Sequence, residues 1–176
     1  MFGKALARLH VALGTDRHIL QRRYALEIDG GLAAMAGRNL APWPWVEVEN
    51  RSGTSANLPM ADIIYVNAGV TAPCAAWLDA LKPEGKLLFP LQPKNGFGAF
   101  LLIRRPPGGD IWPAKFICRA RFIPCEDIPQ PDEASETLKR AFADERWKKV
   151  TQLHRDKNPG PSCWAKGEYW WLSVAE

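Results

Sequence analysis

The sequence of 176 residues has few cysteines and none of the close pairs that hold a metal. Cys74, Cys118, Cys125 and Cys163 lie far apart, and no C-x-x-C pair of the kind typical of zinc sites occurs. We therefore expect reduced, buried thiols and no metal site.

Long apolar segments are also missing. No apolar run approaches the ~20 residues that a membrane-spanning helix needs. Lys4, Arg8 and His10 interrupt the N-terminal segment, where a signal peptide would have its apolar core. These features predict a cytoplasmic protein without a membrane partner.

The charge distribution indicates no nucleic-acid partner. The formal net charge is only +4, and no compact basic stripe alternates with aromatic side chains. The length suits one domain with a sizeable core, so residues 1–176 are predicted to form a single domain.

The most informative stretch is residues 61–105, which reads as strand, helix, strand and a further strand. Residues 62–66 (DIIYV) form a continuous apolar run, as in a strand buried on both faces. A helix is predicted at residues 73–81, and two further apolar runs follow at 86–91 and 97–103. Strand, helix and strand with short connections predict one parallel unit.

Small residues follow the first of these strands. In open α/β sheets, ligands bind beyond the carboxyl ends of the strands. Asn67, Ala68 and Gly69 are therefore predicted to line the edge of a binding site.

The segment DIIYVNAGV, followed by a helix, WLDALKPEGKLLFPL, a glycine-containing loop and FLLIRR, resembles the protein-L-isoaspartate O-methyltransferase family. The resemblance covers residues 9–105 and is most specific over 62–105. Glu84 stands where the family pattern has its first glycine. The resemblance implies a Rossmann-like α/β fold, with a mostly parallel sheet and a C-terminal antiparallel hairpin, and it implies S-adenosylmethionine as the cofactor.

Glu27 is the clearest candidate for holding this cofactor. It ends a predicted strand at residues 23–29, and the helix 32–40 follows. An acidic side chain at this position accepts hydrogen bonds from ribose hydroxyls in nucleotide-binding sheets. The resemblance places Glu27 in that role, and Asp29 is predicted to cap the helix.

The glycine-rich turn of the family is degenerate here. A first strand is predicted at residues 6–13, and the resemblance aligns Ala12, Gly14 and Asp16 with the turn, so that only Gly14 is kept. Glu27 follows Gly14 after 13 positions instead of ~20. Only eight residues, 16–23, remain for a crossover that needs at least ~10–12. The first helix must therefore be shortened, or the first strand displaced.

Ser52 occupies the position where the family usually has an acidic residue near the adenine amino group. The candidate cofactor-binding residues are thus Gly14, Glu27, Ser52, Asn67 and Ala68. The glycine-rich turn, the crossover to the second strand and the carboxylate near the adenine all differ from the family pattern. We therefore expect S-adenosylmethionine to bind weakly or not at all.

The resemblance implies methyl transfer to a carboxylate of an isoaspartyl residue in a damaged protein. The family's catalytic serine lies before the first strand, where this sequence has only a few residues, so no catalytic residue is assigned. The alternative is a catalytically inactive remnant of the fold that acts as a binding or scaffold protein.

Beyond residue 105 the sequence predicts an antiparallel strand at 115–123 that pairs with 97–103, and a helix at 132–143. A second short helix is predicted at 147–153 and a final strand at 168–174. Trp170 and Trp171 are assigned to the core and His154 to the surface.

Overall fold

The computed structural model describes residues 9–12 and 22–175, for 9–12 the backbone alone. The strands are β1 Leu9–Ala12, β2 Arg23–Glu27, β3 Val46–Asn50, β4 Ala61–Val66, β5 Leu81–Leu91, β6 Gly98–Arg104, β7 Ile111–Ala120, β8 Val150–His154, β9 Cys163–Lys166 and β10 Trp171–Val174. The helices are α1 Gly30–Leu40, α2 Ala75–Ala80 and α3 Asp132–Ala141, and a 3-10 helix spans Glu145–Lys149.

All of these strands join one mixed sheet in the order β3-β2-β1-β4-β5-β6-β7-β8-β10-β9. β2 pairs with β3 in parallel, and so does β4 with β5, whereas the other neighbours pair antiparallel. The α/β class and the antiparallel C-terminal hairpin agree with the sequence. The sheet is mostly antiparallel rather than mostly parallel, because β1 runs opposite to both of its neighbours and β8, β9 and β10 extend the antiparallel part. The single domain stays a prediction, which the continuous sheet supports.

The central stretch is confirmed. β4 and β5 pair in parallel, with α2 between them, and β6 turns back antiparallel along β5. Glu84 has a φ of 68°, a left-handed conformation that glycine adopts most readily. The glycine of the family pattern therefore corresponds to a real backbone requirement at this position.

The first strand runs opposite to its two neighbours. Leu9 pairs with both Leu26 of β2 and Val66 of β4, and both pairings are antiparallel. A parallel arrangement would require a crossover of a dozen or more residues, and only the ten residues 13–22 separate β1 from β2, whereas antiparallel strands need only a short connection. The reversal of β1 accounts for the short spacing between Gly14 and Glu27, which the sequence left unexplained.

The core lies on one face of the sheet. Leu87, Phe89 and Leu91 of β5 are fully buried, and Trp77 of α2 packs against Phe89 with 5.9 Å between ring centroids. The Trp77 indole donates to the carbonyl of Gly53 at 2.8 Å, which fixes the loop after β3 against α2.

A second group of aromatic rings covers the outer half of the same sheet. Phe116, Phe142, Trp147 and Trp164 pack with ring centroids 5.0–6.3 Å apart. These rings hold α3 and the 3-10 helix against β7 and β9.

Two predictions for the C-terminal part are wrong. The predicted helix at 147–153 is one 3-10 turn followed by β8, because Val150 and Leu153 are buried in a strand between β7 and β10. His154 is buried rather than on the surface, since it stacks on Trp171 at 3.6 Å and shares a hydrogen bond with Ser173 at 3.0 Å. The core position of the final tryptophans is confirmed.

The prediction of buried thiols holds only in part. The four cysteines are free, as expected, but only Cys125 is buried and Cys118 is exposed. Within residues 22–175, no cluster of side chains could hold a metal ion. No helix of the described ranges is both long and apolar enough to cross a bilayer.

Candidate cofactor site

The ends of β2 and β4 lie at the same edge of the sheet. Leu26 and Val66 both pair with Leu9, and Glu27 and Asn67 are the residues that follow them. Because only β1 separates the two strands, their backbones are about 10 Å apart. The chain thus brings together two of the residues that the sequence assigned to the site. Ala68, the next residue, is buried at this edge.

One oxygen of the Glu27 carboxylate accepts no hydrogen bond within the described ranges. The residue is only 3% exposed. Its Oε1 accepts a hydrogen bond from the Asp29 amide at 3.0 Å. Its Oε2 is buried and accepts none from the part of the chain that the structure describes. A buried acceptor without a partner is costly, so this oxygen is well suited to accept a hydrogen bond from a ligand hydroxyl.

The backbone around Glu27 is held firmly. Asn50 of β3 donates from its side-chain amide to the Glu27 carbonyl at 2.9 Å and to the Ile28 carbonyl at 3.0 Å. Asp29 accepts from the Leu32 amide at 2.9 Å and caps α1, which confirms its predicted role. The backbone at Glu27 and directly after it is therefore held in place.

Ser52 lies beside a carboxylate that comes from a distant part of the chain. Its hydroxyl donates to Asp127 Oδ2, and Thr54 Oγ1 donates to the same oxygen at 3.2 Å. Burial by itself would raise the pKa of Asp127. Hydrogen bonds from Cys125, Ser52 and Thr54 outweigh it and hold that pKa below its ordinary value. Asp127 thus places a negative charge where the sequence suggested only a hydroxyl.

A cavity of about 440 Å³ opens beside this group, with Thr54 in its wall. It lies between the loop after β3 and α2, and Ala76 and Ala80 form part of its lining. Its size lies within the range of small-molecule sites, which is about 300–1,000 Å³, but neither Glu27 nor Asp127 is in its lining.

Gly69 is required by packing. A Cβ there would lie 2.2 Å from Gln92 Nε2. The Gly69 amide donates to the Ile123 carbonyl at 2.9 Å, and the Gly69 carbonyl accepts from the Cys125 amide at 2.8 Å. The segment 122–125 therefore runs along the end of β4 and carries Asp127 towards Ser52.

The two thiols near Asp127 are not nucleophiles at neutral pH. Cys125 donates to Asp127 Oδ1 at 2.8 Å, and burial, followed by this hydrogen bond, raises its pKa to about 12. Burial also raises the pKa of Cys74. Because the thiolate is the reactive form, neither residue is a candidate for covalent catalysis.

Comparison with known proteins identifies the fold. No protein-family model matches the sequence, and no curated protein matches it. Ten chains of solved structures do match, and two of them are described as protein-L-isoaspartate O-methyltransferases. One is described as a protein-L-isoaspartate O-methyltransferase (beta-aspartate methyltransferase) of Plasmodium falciparum in complex with S-adenosyl-L-homocysteine, with 17% identity, a TM-score of 0.51 and coverage of 60% of this chain and 52% of that one. The other is a protein-L-isoaspartate O-methyltransferase, with 14% identity, a TM-score of 0.52 and coverage of 87% and 56%.

The chain has the fold of protein-L-isoaspartate O-methyltransferases. It spans about half the length of these two structures. The resemblance seen in the sequence over residues 9–105 and the architecture therefore agree.

The methyltransferase fold here carries a reversed first strand. The carboxyl end of β1, at Ala12, pairs opposite Ile63, near the amino end of β4. It lies at the edge of the sheet opposite to Glu27 and Asn67. Gly14, the remaining glycine of the predicted turn, lies outside the described residues.

Sequence reasoning missed Asp127. The residue is 75 positions from Ser52, in a segment with no recognised motif. The sequence offered no sign of its role beyond its acidic side chain and its position shortly after the strand predicted at residues 115–123.

Proposed function

We propose that this chain is a relative of S-adenosylmethionine-dependent methyltransferases, most similar to protein-L-isoaspartate O-methyltransferase. Its methyl acceptor would be the carboxylate of an isoaspartyl residue in a protein or peptide, and its role would be protein repair in the cytoplasm. The observation that carries the proposal is the buried Glu27 carboxylate at the end of β2, whose Oε2 accepts no hydrogen bond from the described residues. The shared fold supports it.

The described residues fit the adenosine half of the cofactor. Glu27 Oε2 would accept a hydrogen bond from a ribose hydroxyl, as acidic residues at this position do in nucleotide-binding sheets. Asp127, held by Ser52 and Thr54, offers a carboxylate for the adenine amino group. Asn67 and Ala68 would border the site, and the resemblance adds Gly14.

When bound, the cofactor supplies the methyl group. The protein's contribution would be to hold donor and acceptor in line and to keep water away, without a covalent intermediate. No residue of the described chain is assigned to catalysis.

Titration of adenosine by calorimetry tests the site. Glu27→Gln keeps the oxygen that accepts from the Asp29 amide and replaces Oε2 by a donor. Loss of a hydrogen bond to a charged group costs about 1.5–3 kcal/mol, which corresponds to a roughly 10- to 150-fold weaker affinity. Glu168→Gln, at an exposed carboxylate elsewhere, is the matched control.

A second readout separates a binding role from a structural one. Because Glu27 buries an oxygen that has no partner in the part of the chain that the structure describes, Glu27→Gln should leave the melting temperature of the ligand-free protein unchanged or raise it. Unchanged adenosine binding, or a lower melting temperature together with general loss of binding, would reject the ribose-binding role.

The second candidate function is a non-catalytic remnant of the fold that binds a partner. The reversed β1 favours it, because the end of this strand lies at the edge opposite to Glu27 and Asn67. An assay of methyl transfer from labelled S-adenosylmethionine to an isoaspartyl peptide separates the two functions. Turnover that is lost in Glu27→Gln supports the enzyme. No turnover with intact protein, even at millimolar cofactor, supports the remnant.

A further inference from the structure

The described residues pack one face of the central sheet and leave the other face open. Leu101 and Ile103 of β6 are fully buried, whereas Leu102 between them is half-buried and Arg104 is exposed. We call the second side the open face; its residues are Ile63, Lys86, Leu88, Leu102, Arg104 and Lys115. The apolar run in β4 predicted burial on both faces, but Ile63 remains 42% exposed.

Strand pairing arranges these side chains in two rows. Ile63, Lys86 and Arg104 lie opposite one another on β4, β5 and β6. Leu88, Leu102 and Lys115 form the next row, on β5, β6 and β7. The open face therefore has an apolar centre at Leu88 and Leu102, with cations along two of its sides.

The charges on this face are not balanced. Arg104 pairs with Glu84. Lys86 and Lys115 form no ion pair within the described ranges, although Lys86 lies directly opposite Arg104. Like charges opposite each other destabilise a sheet. An open cavity of about 460 Å³ has these three cations in its wall and Leu102 among its apolar lining.

We propose that the open face binds an acidic amphipathic helix of a partner protein. Apolar sheet faces of α/β proteins are covered by helices. Four strands span about 14 Å, which accommodates one helix of about 10 Å diameter. A partner with an apolar stripe and flanking carboxylates would cover Leu88 and Leu102 and neutralise Lys86 and Lys115. A second copy of the chain fits poorly, because its own three cations would meet these three.

A charge-swap experiment tests this proposal. The probe is a labelled synthetic helical peptide of about 18 residues, with leucines at i, i+3, i+4 and i+7 and glutamates flanking them. A second peptide has lysines in place of the glutamates. Binding is measured by fluorescence anisotropy to the intact protein and to the double variant Lys86→Glu/Lys115→Glu. Both lysines are exposed, so the variant should fold. Lys166→Glu, at an exposed lysine of β9, is the control.

We expect the acidic peptide to bind the intact protein at least tenfold more tightly than the basic one, and the double variant to reverse this preference. Leu102→Asp should abolish binding of both peptides, and Lys166→Glu should change neither. Equal affinity for the two peptides, or a preference that survives the double variant, would overturn the proposal. So would concentration-dependent dimerisation in sedimentation that Leu102→Asp abolishes, since the face would then bind a second copy.

Discussion

Substitution of Glu84 by glycine and by alanine tests the backbone requirement at the bulge in β5 between Leu81 and Lys86. Glu84 has a φ of 68°, and its conformation is fixed by hydrogen bonds from its own amide to the Arg105 carbonyl at 2.8 Å and from the Arg105 amide to the Gly85 carbonyl at 2.9 Å. An L-residue in this region carries a steric cost of roughly 1–2 kcal/mol from its Cβ. Glycine has no Cβ and should relieve that cost, whereas alanine should retain it.

Both variants lose the same ion pair with Arg104, so its contribution cancels in the comparison. That pair is about half exposed, with 54% and 48% of the two side chains accessible, and such pairs contribute only ~0–1 kcal/mol. After the greater freedom of glycine in the unfolded chain is subtracted, Glu84→Gly should be more stable than Glu84→Ala by about 1 kcal/mol. For a chain of this size, that is a difference of roughly 2–4 °C in melting temperature.

Urea denaturation and calorimetry measure this difference. Lys86, an exposed residue of the same strand without a positive φ, is the control position. There the order should reverse, with alanine more stable than glycine by about 0.5–1 kcal/mol. If alanine is also the more stable substitution at position 84, the left-handed conformation is wrong, and so is the explanation of the family's glycine.

Two further predictions concern packing and pH. Gly98→Ala should destabilise the protein by roughly 1–3 kcal/mol in urea denaturation, because its Cβ would lie 2.1 Å from the Leu91 carbonyl oxygen; an unchanged midpoint would contradict the close approach of β5 and β6. Since the pKa of Asp127 is lowered in the folded protein, its stabilising contribution should be present above pH ~4 and be lost as the pH falls through the folded pKa. The gap in unfolding free energy between the intact protein and Asp127→Asn should therefore narrow between pH 6 and pH 3, and a gap that widens on acidification would contradict this.

The sequence was sufficient for the part of the fold that depends on local patterns. Residues 61–105 combine apolar runs, small turn residues and short connections, and these allowed only one arrangement of β4, α2, β5 and β6. The position of Glu27 at the end of β2 followed in the same way. The direction of β1 could not be predicted in this way, since the hydrophobic pattern of a strand is the same for either direction. Only the short connection to β2 indicated that a parallel β1 was unsuitable.

Long-range contacts explain the remaining differences. Asp127 reaches Ser52 only because segment 122–125 pairs with Gly69. His154 is buried because Trp171 of β10 stacks on it. Neither contact leaves a periodic signal in the sequence, because the partners are brought together by the order of the strands in the sheet.

The most direct test of the account compares adenosine with S-adenosyl-L-homocysteine by calorimetry on the intact protein. The proposed site would contact only the adenosine half, because the end of β1 lies at the other edge of the sheet. We therefore predict weak binding of both ligands, with dissociation constants within about threefold of each other and well above 10 µM, and loss of both in Glu27→Gln. Low-micromolar binding of S-adenosyl-L-homocysteine, at least tenfold tighter than that of adenosine, would contradict the account. It would show that the chain also holds the amino-acid tail of the cofactor.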